Sequence, residues 1–199
     1  PLDNSTTNPS LLLVPQNINP KFETKKYFIM NHLNLFTLLL TLSFSSLTAQ
    51  DNAATEILTK WKNASQYTIN LIDSMPAEHF DFKPTPEIKS FSEQVTHIVD
   101  NMTWLSNSYL GAEKFEKQEP ETKAEHLEYM RKACAYAGNA MEAALKNPDL
   151  LKTEQKFFAG PMTGRQIVRL MHDHVTHHRG QLIIYLRLKG IKPPKYFGW

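Results

Sequence analysis

One cysteine, Cys134, stands alone among 199 residues, so no intramolecular disulfide can form and a disulfide framework is excluded. Excess charge is missing too. The formal net charge is +2 and no dense Lys/Arg cluster occurs, which argues against nucleic acid or an acidic membrane as a partner. Strand signals are absent, because no alternating Val/Ile/Thr runs lie between Asn/Gly turns. Also absent are a Gly-rich phosphate loop, a GxSxG elbow, an HExxH helix, the paired ExxH of di-iron bundles and any internal repeat. What remains is a chain with 41% hydrophobic and 21% charged residues, enough for one globular domain with a real core and some extra sequence.

The extra sequence is N-terminal. After Met30, "NHLNLFTLLLTLSFSSLTAQ" has a Leu/Phe centre that ends in small and polar residues. The apolar run from Leu33 to Leu47 is short for a membrane span and suits a signal-peptide core, with Lys25 and Lys26 upstream as a source of positive charge. The expectation is cleavage near Ala49 or Gln50 and an exported chain, periplasmic or secreted, with no stable membrane span. Residues 1–29 lack an initiating Met, are rich in Asn, Pro and Thr, and read as a disordered upstream extension.

Four segments with helical periodicity follow. The first runs from about Asp51, a plausible N-cap, through Ile57, Trp61, Ala64, Thr68, Leu71 and Met75 to Pro76. The second opens at Ser90 with Glu93 completing a capping box, and carries Val95, Ile98, Met102, Leu105 and Tyr109 as a stripe towards Gly111. Thr122 and Glu125 open the third, which reaches about Asn147, where Pro148 stops it. Its Cys134 shares a face with Leu127, Met130, Ala137 and Met141 and reads as a small core residue. Thr163 and Gln166 open the fourth, which ends at Gly190 before Pro193 and Pro194. Three capping boxes, each ahead of an apolar periodic run, predict an all-α antiparallel four-helix bundle over residues 51–199. The first link, "PAEHFDFKPTPEIKS", holds three prolines and is expected to be an extended excursion.

The fourth segment also carries the histidines, in "HDHVTHHRGQLIIYLRLKG". A helical wheel places Ile167, Leu170, Met171, His174, His178, Gln181, Leu182 and Tyr185 on one face, with Arg165, Arg169, His172, Arg179 and Arg187 opposite. His172 is thus expected in solvent, His177 on the flank, and His174 and His178 inside. Residues four apart have Cβ atoms about 5–6 Å apart, so both inward imidazoles can reach one metal at about 2.0–2.1 Å. Asp173 and His177 form a second such pair nearer the edge. Two buried rings without partners would cost about 1–3 kcal/mol each, so a metal, water or backbone carbonyls must satisfy them. A tight site needs a third ligand from another helix. His97 is the natural candidate although it lies roughly 120 degrees from the centre of its helix's apolar stripe. His79 in the link and His126 early in the third helix are weaker candidates.

"HVTHHRGQLIIYLRLKGIKPP" resembles the C-terminal motif of the DinB-like family of four-helix metalloproteins, in which H-x-x-x-H-R-G-Q supplies two metal ligands. "FKPTPEIKSFSEQVTHIVDN" is similar to that family's other landmark, a second-helix histidine after a Pro-containing link and a serine cap. The resemblance spans about residues 51–196 and implies a metal site of His97, His174 and His178 between the second and fourth helices. It also implies a divalent ion. Zn is the first expectation, with Ni, Fe or Mn as alternatives, since imidazole suits several such ions. Family members include thiol S-transferases and isomerases that use low-molecular-weight thiols, and the family name implies no DNA binding.

The expected function is that of an exported metal-dependent enzyme, of hydrolase or thiol S-transferase type, acting on a small molecule at an open coordination position. An apparent export signal sits poorly with thiol transfer, because the known thiol-transferase members are cytoplasmic. The alternatives are a non-catalytic exported metal-binding bundle and a metal-free core. Asp100, Asp173, His177 and Tyr185 are candidate groups near the metal. A homodimer is compatible with a bundle, but no specific feature asks for one.

Overall fold

Each of the three capping boxes starts a helix. Ser90 Oγ accepts the Glu93 N–H at 3.1 Å while the Glu93 carboxylate accepts the Ser90 N–H at 2.6 Å. Thr122 with Glu125 and Thr163 with Gln166 repeat the exchange, which satisfies N–H groups that the first turn of a helix leaves unpaired. The computed structural model describes residues 52–199. The extension expected at 1–29, the leader expected at 30–50 and the cap expected at Asp51 lie outside the described residues. Helix α1 covers 52–74 and stops ahead of Pro76. A 3₁₀ turn at Ala77–His79 interrupts the proline-rich link, and α2 (Phe91–Tyr109) and α3 (Lys123–Leu145) follow.

Between α3 and the last helix the structure adds three short elements that the sequence reading did not expect. Helix α4 (Pro148–Lys152) begins at the proline that ends α3's neighbourhood. The Asn147 side chain caps the Leu150 N–H at 3.1 Å, and Pro148 occupies the first turn, where its missing N–H costs nothing. Strands β1 (Glu154–Gln155) and β2 (Met162–Thr163) pair antiparallel, Glu154 opposite Thr163. Two residues apiece are too few to leave an alternating pattern. The fourth long helix is therefore α5 (Gly164–Leu188). At its start, a Cβ on Gly164 would fall 2.5 Å from the Leu150 carbonyl oxygen, so only glycine lets α5 approach α4 this closely.

Side-chain pairs give the helix directions. Trp61 donates from Nε1 to the Cys134 carbonyl at 3.0 Å, and Lys123 reaches Asp73, so α1 and α3 run antiparallel. Gln94 meets Gln181 and Lys89 meets Tyr185, so α2 and α5 are antiparallel as well. Phe80, packed on Phe91 at the start of α2, also touches His126 at the start of α3. Gln155, just past α3 and α4, donates to the Tyr109 carbonyl at the end of α2. Hence α2 and α3 run in the same direction, and the connection at 110–122 carries the chain back along the bundle, held by Phe115 on Tyr129 and Tyr136. Leu71, Ile72, Ile98, Met102, Met130, Met141, Ile167 and Met171 are fully buried between the four helices. Cys134 belongs to this core, and burial pushes its thiol up to about 11, so it is unreactive at neutral pH. Among the described residues no helix is long and apolar enough to cross a membrane.

The wheel for α5 needs correction on one flank. Arg165, Arg169 and Arg187 are exposed as expected, but His172 and Arg179 are buried, at 7% and 3% exposure. Helix α1 covers that flank. Trp61 meets the His172 ring edge-on, with centroids 5.3 Å apart. Arg179 donates to the Ala64 carbonyl at 3.4 Å and lies over the Tyr67 ring. Covered by α1 on one side and α2 on the other, α5 buries a wider arc than one stripe. His174 and His178 consequently lie half-buried at the edge of that arc, not at its centre.

Candidate metal centre

The edge position of the histidines is what makes a site. On α2, Gln94, His97 and Asn101 form a polar line beside the buried stripe of Val95, Ile98, Met102 and Leu105. On α5, His174, His178 and Gln181 form the facing line. The two lines meet at the seam between the helices. One ligand atom from each of His97, His174 and His178 lies within 4.8 Å of the other two. The ring centroids are 4.4 Å apart for His174 and His178, 4.5 Å for His97 and His178, and 5.0 Å for His97 and His174. His79 and His126 stay out of this cluster. His79 belongs to the 3₁₀ turn, and the buried His126 bonds through Nδ1 to the Thr122 carbonyl at 2.9 Å.

Burial biases all three rings towards the neutral form that binds metals. Burial lowers the pKa of His174 and of His178 to about 4, with the neighbouring imidazoles adding to the shift. His97 is lowered as well, by burial first and then by the nearby Lys89 charge. The surroundings also fit a cation at the centre of the cluster. His174 Nδ1 is buried without a hydrogen-bond partner, as is Asn101 Oδ1. His178 donates from Nδ1 to Gln94 Oε1 at 2.8 Å, which leaves its lone pair on Nε2. Three neutral imidazoles from two rigid helices are a borderline-soft donor set that suits Zn and its neighbours.

Of the other residues picked out in the sequence, Asp100 lines a cavity of about 650 Å³ that also reaches His97. It lines a second cavity of about 360 Å³ beside Trp104 and Tyr129 too. Asp173 is exposed and is not among the residues that converge in the cluster. The Tyr185 hydroxyl donates to the Lys89 carbonyl and ties α5 to the start of α2. His177 is exposed, and its Nε2 accepts from Gln181 Nε2 at 3.0 Å. The residues that sequence reasoning missed are Gln94 and Asn101. Their three- and four-residue spacing from His97 was the available signal, since a polar line at helical spacing beside an apolar stripe marks a polar seam.

The family model described as the DinB family matches residues 43–198. The chain belongs to the DinB family. The uncharacterized protein YjoA of Bacillus subtilis strain 168 is 25% identical over 142 residues, which cover 68% of this chain and 90% of YjoA. The crystal structure of that DinB-like protein superposes with a TM-score of 0.55 at 22% identity, covering 71% of this chain and 97% of the other. A DinB-like protein from Bacillus cereus ATCC 10987 gives a TM-score of 0.58 at 22% identity, with 71% and 95% covered. These two likenesses establish the DinB fold; the histidine cluster rests on this chain's own geometry.

Proposed function

We propose that this DinB-family chain is an exported enzyme in which His97, His174 and His178 hold a divalent ion, zinc first, and present it to a small polar substrate. One observation carries the reading: His97 belongs both to the cluster and to the wall of the open cleft of about 650 Å³, which leaves one side of the cluster within reach of a small molecule. A purely structural metal would be closed off from such a space. When bound, the ion would supply a Lewis acid that lowers the pKa of a water or thiol held beside it. The chain's own contribution is to orient three neutral imidazoles, to keep them unprotonated by burial, and to set the Asp100 carboxylate on the same wall. To Asp100, three residues from His97 on α2, this reading assigns the role of accepting a proton from the attacking nucleophile. Hydrolysis is favoured over thiol transfer, because export separates the protein from the cytosolic thiol pool.

The test is a panel of small esters, amides and lactones, run beside electrophiles with a low-molecular-weight thiol, on zinc-loaded protein. Turnover that needs zinc and falls by about 10²–10⁴-fold in Asp100→Asn, with zinc content unchanged, is the expected result. Stoichiometric zinc with no turnover in either half of the panel would replace this reading with a non-catalytic metal-binding bundle. Turnover only with thiol would move the assignment from hydrolase to S-transferase.

A further inference from the structure

Behind His178 runs a chain of side-chain hydrogen bonds that the metal cluster alone does not require. His178 Nδ1 donates to Gln94 Oε1 at 2.8 Å. Gln94 Nε2 donates to Gln181 Oε1 at 2.5 Å. Gln181 Nε2 lies 3.0 Å from His177 Nε2, which accepts. Every step points the same way, from the ligand histidine on α5 to Gln94 on α2, back to Gln181 on α5, and out to the exposed His177. Gln94 itself is 3% exposed, too buried to draw its partners from bulk water.

Direction is what matters in this chain. An amide offers an acceptor at one end and donors at the other, so fixing one group fixes its neighbour. Were Gln94 turned over, its NH₂ would face His178 Nδ1, and the ring would have to carry its proton on Nε2. The lone pair that reaches the metal would be gone. Gln94 is kept from turning because its NH₂ already has Gln181 Oε1 to donate to. Gln181 in turn donates to the lone pair of His177 in this arrangement.

We infer that Gln94, held by Gln181, is a positioning residue that keeps His178 in its Nδ1–H tautomer so that Nε2 stays available to a metal ion. This deepens the metal reading of the site and rests on it. Gln94 touches neither metal nor substrate; it acts through His178. A hydrogen-bond acceptor behind a ligand imidazole sets ring orientation and basicity, and its loss costs about 10–100-fold in metal affinity. His177 emerges as the end of the chain and not as a fourth ligand through Nε2, since that atom accepts from Gln181.

The experiment has two parts, both independent of turnover. Zinc affinity of the full chain is measured by competition with a chromophoric chelator for wild type, Gln94→Leu and Gln94→Glu, with the fold of each checked by circular dichroism. The expected result is about 10–100-fold weaker zinc binding for Gln94→Leu, and recovery to within a few-fold in Gln94→Glu, whose carboxylate can still accept from Nδ1. Long-range ¹H–¹⁵N spectra of the metal-free wild type at neutral pH are expected to show His178 protonated on Nδ1, with the Nε2–H form growing in Gln94→Leu. A merely structural Gln94 would not move that tautomer. Gln94→Leu binding zinc within about twofold of wild type overturns the inference and leaves the metal site intact, and so does Nε2–H as the main His178 form in the metal-free wild type. A wild type that binds no zinc overturns the metal reading instead.

Discussion

Two histidines of α5, His172 and His174, stand one residue apart from a shared neighbour and carry the same electrostatic mark. Burial is the first cause for both, and both pKa values are lowered to about 4. Each also has a ring nitrogen buried without a hydrogen-bond partner. Yet His172 faces Trp61 across an apolar wall of α1, while His174 faces two further imidazoles across the seam with α2. A depressed pKa and an unpaired nitrogen therefore do not identify a metal site. Convergence is the further requirement, because only a second and third donor at the same point can offset what an ion loses on leaving water.

The largest expected effect separates the two places on metal. His174→Ala or His97→Ala should weaken zinc binding by more than the roughly 10–100-fold that follows loss of a ligand's partner, whereas His172→Ala should keep full stoichiometry. Equal losses in all three variants would break the comparison. Stability should respond the other way. His172→Ala removes the ring packed on Trp61 and is expected to cost about 3 kcal/mol in chemical denaturation of the metal-free protein. His172→Phe fills the space and removes an unpaired nitrogen, so it should fall within about 1.5 kcal/mol of wild type; a loss as large as that of the alanine variant would show that the nitrogen has a partner after all.

Acid offers a third, smaller contrast. An unfolded chain's histidines bind protons near pH 6.5, but in the fold His172, His174 and His178 hold off until about pH 4. Their neutral burial is thus fully compatible with the fold above pH 6.5, and stability falls as pH drops from there towards 4. Denaturation midpoints of the metal-free protein between pH 7.5 and 4.5 should show this decline, with a shallower slope in His172→Phe. An unchanged slope would remove His172 from the account. The smallest effect belongs to Asp173, between the two histidines but exposed. Asp173→Asn should change stability by less than about 0.5 kcal/mol and leave zinc binding alone; a clear loss of metal would give it a place in the site.

The same pair of residues shows what the sequence can and cannot say. Helix starts were legible because a capping box is a local signal, and Ser90, Thr122 and Thr163 each sit where their boxes predict. Two of the three clustered histidines were legible from one helix, since four-residue spacing is also local. His97 was not settled by spacing, because its angle on α2 has meaning only when the facing helix is known. His172 and Arg179 were misplaced for the same reason: one helical wheel records one stripe, and α5 is covered by both α1 and α2. The α4 turn and the two-residue strands fell below the length at which any pattern shows. Gln94 was hidden because its partner, Gln181, is on another helix.

The most direct measurement of the central claim is metal content by mass spectrometry on the chain purified without a histidine tag and reconstituted with zinc, beside His97→Ala and His172→Ala. About one zinc per chain in wild type and His172→Ala, lost in His97→Ala, is the predicted result. Wild type free of metal after reconstitution, or His97→Ala retaining it, would contradict a site built at the seam of α2 and α5.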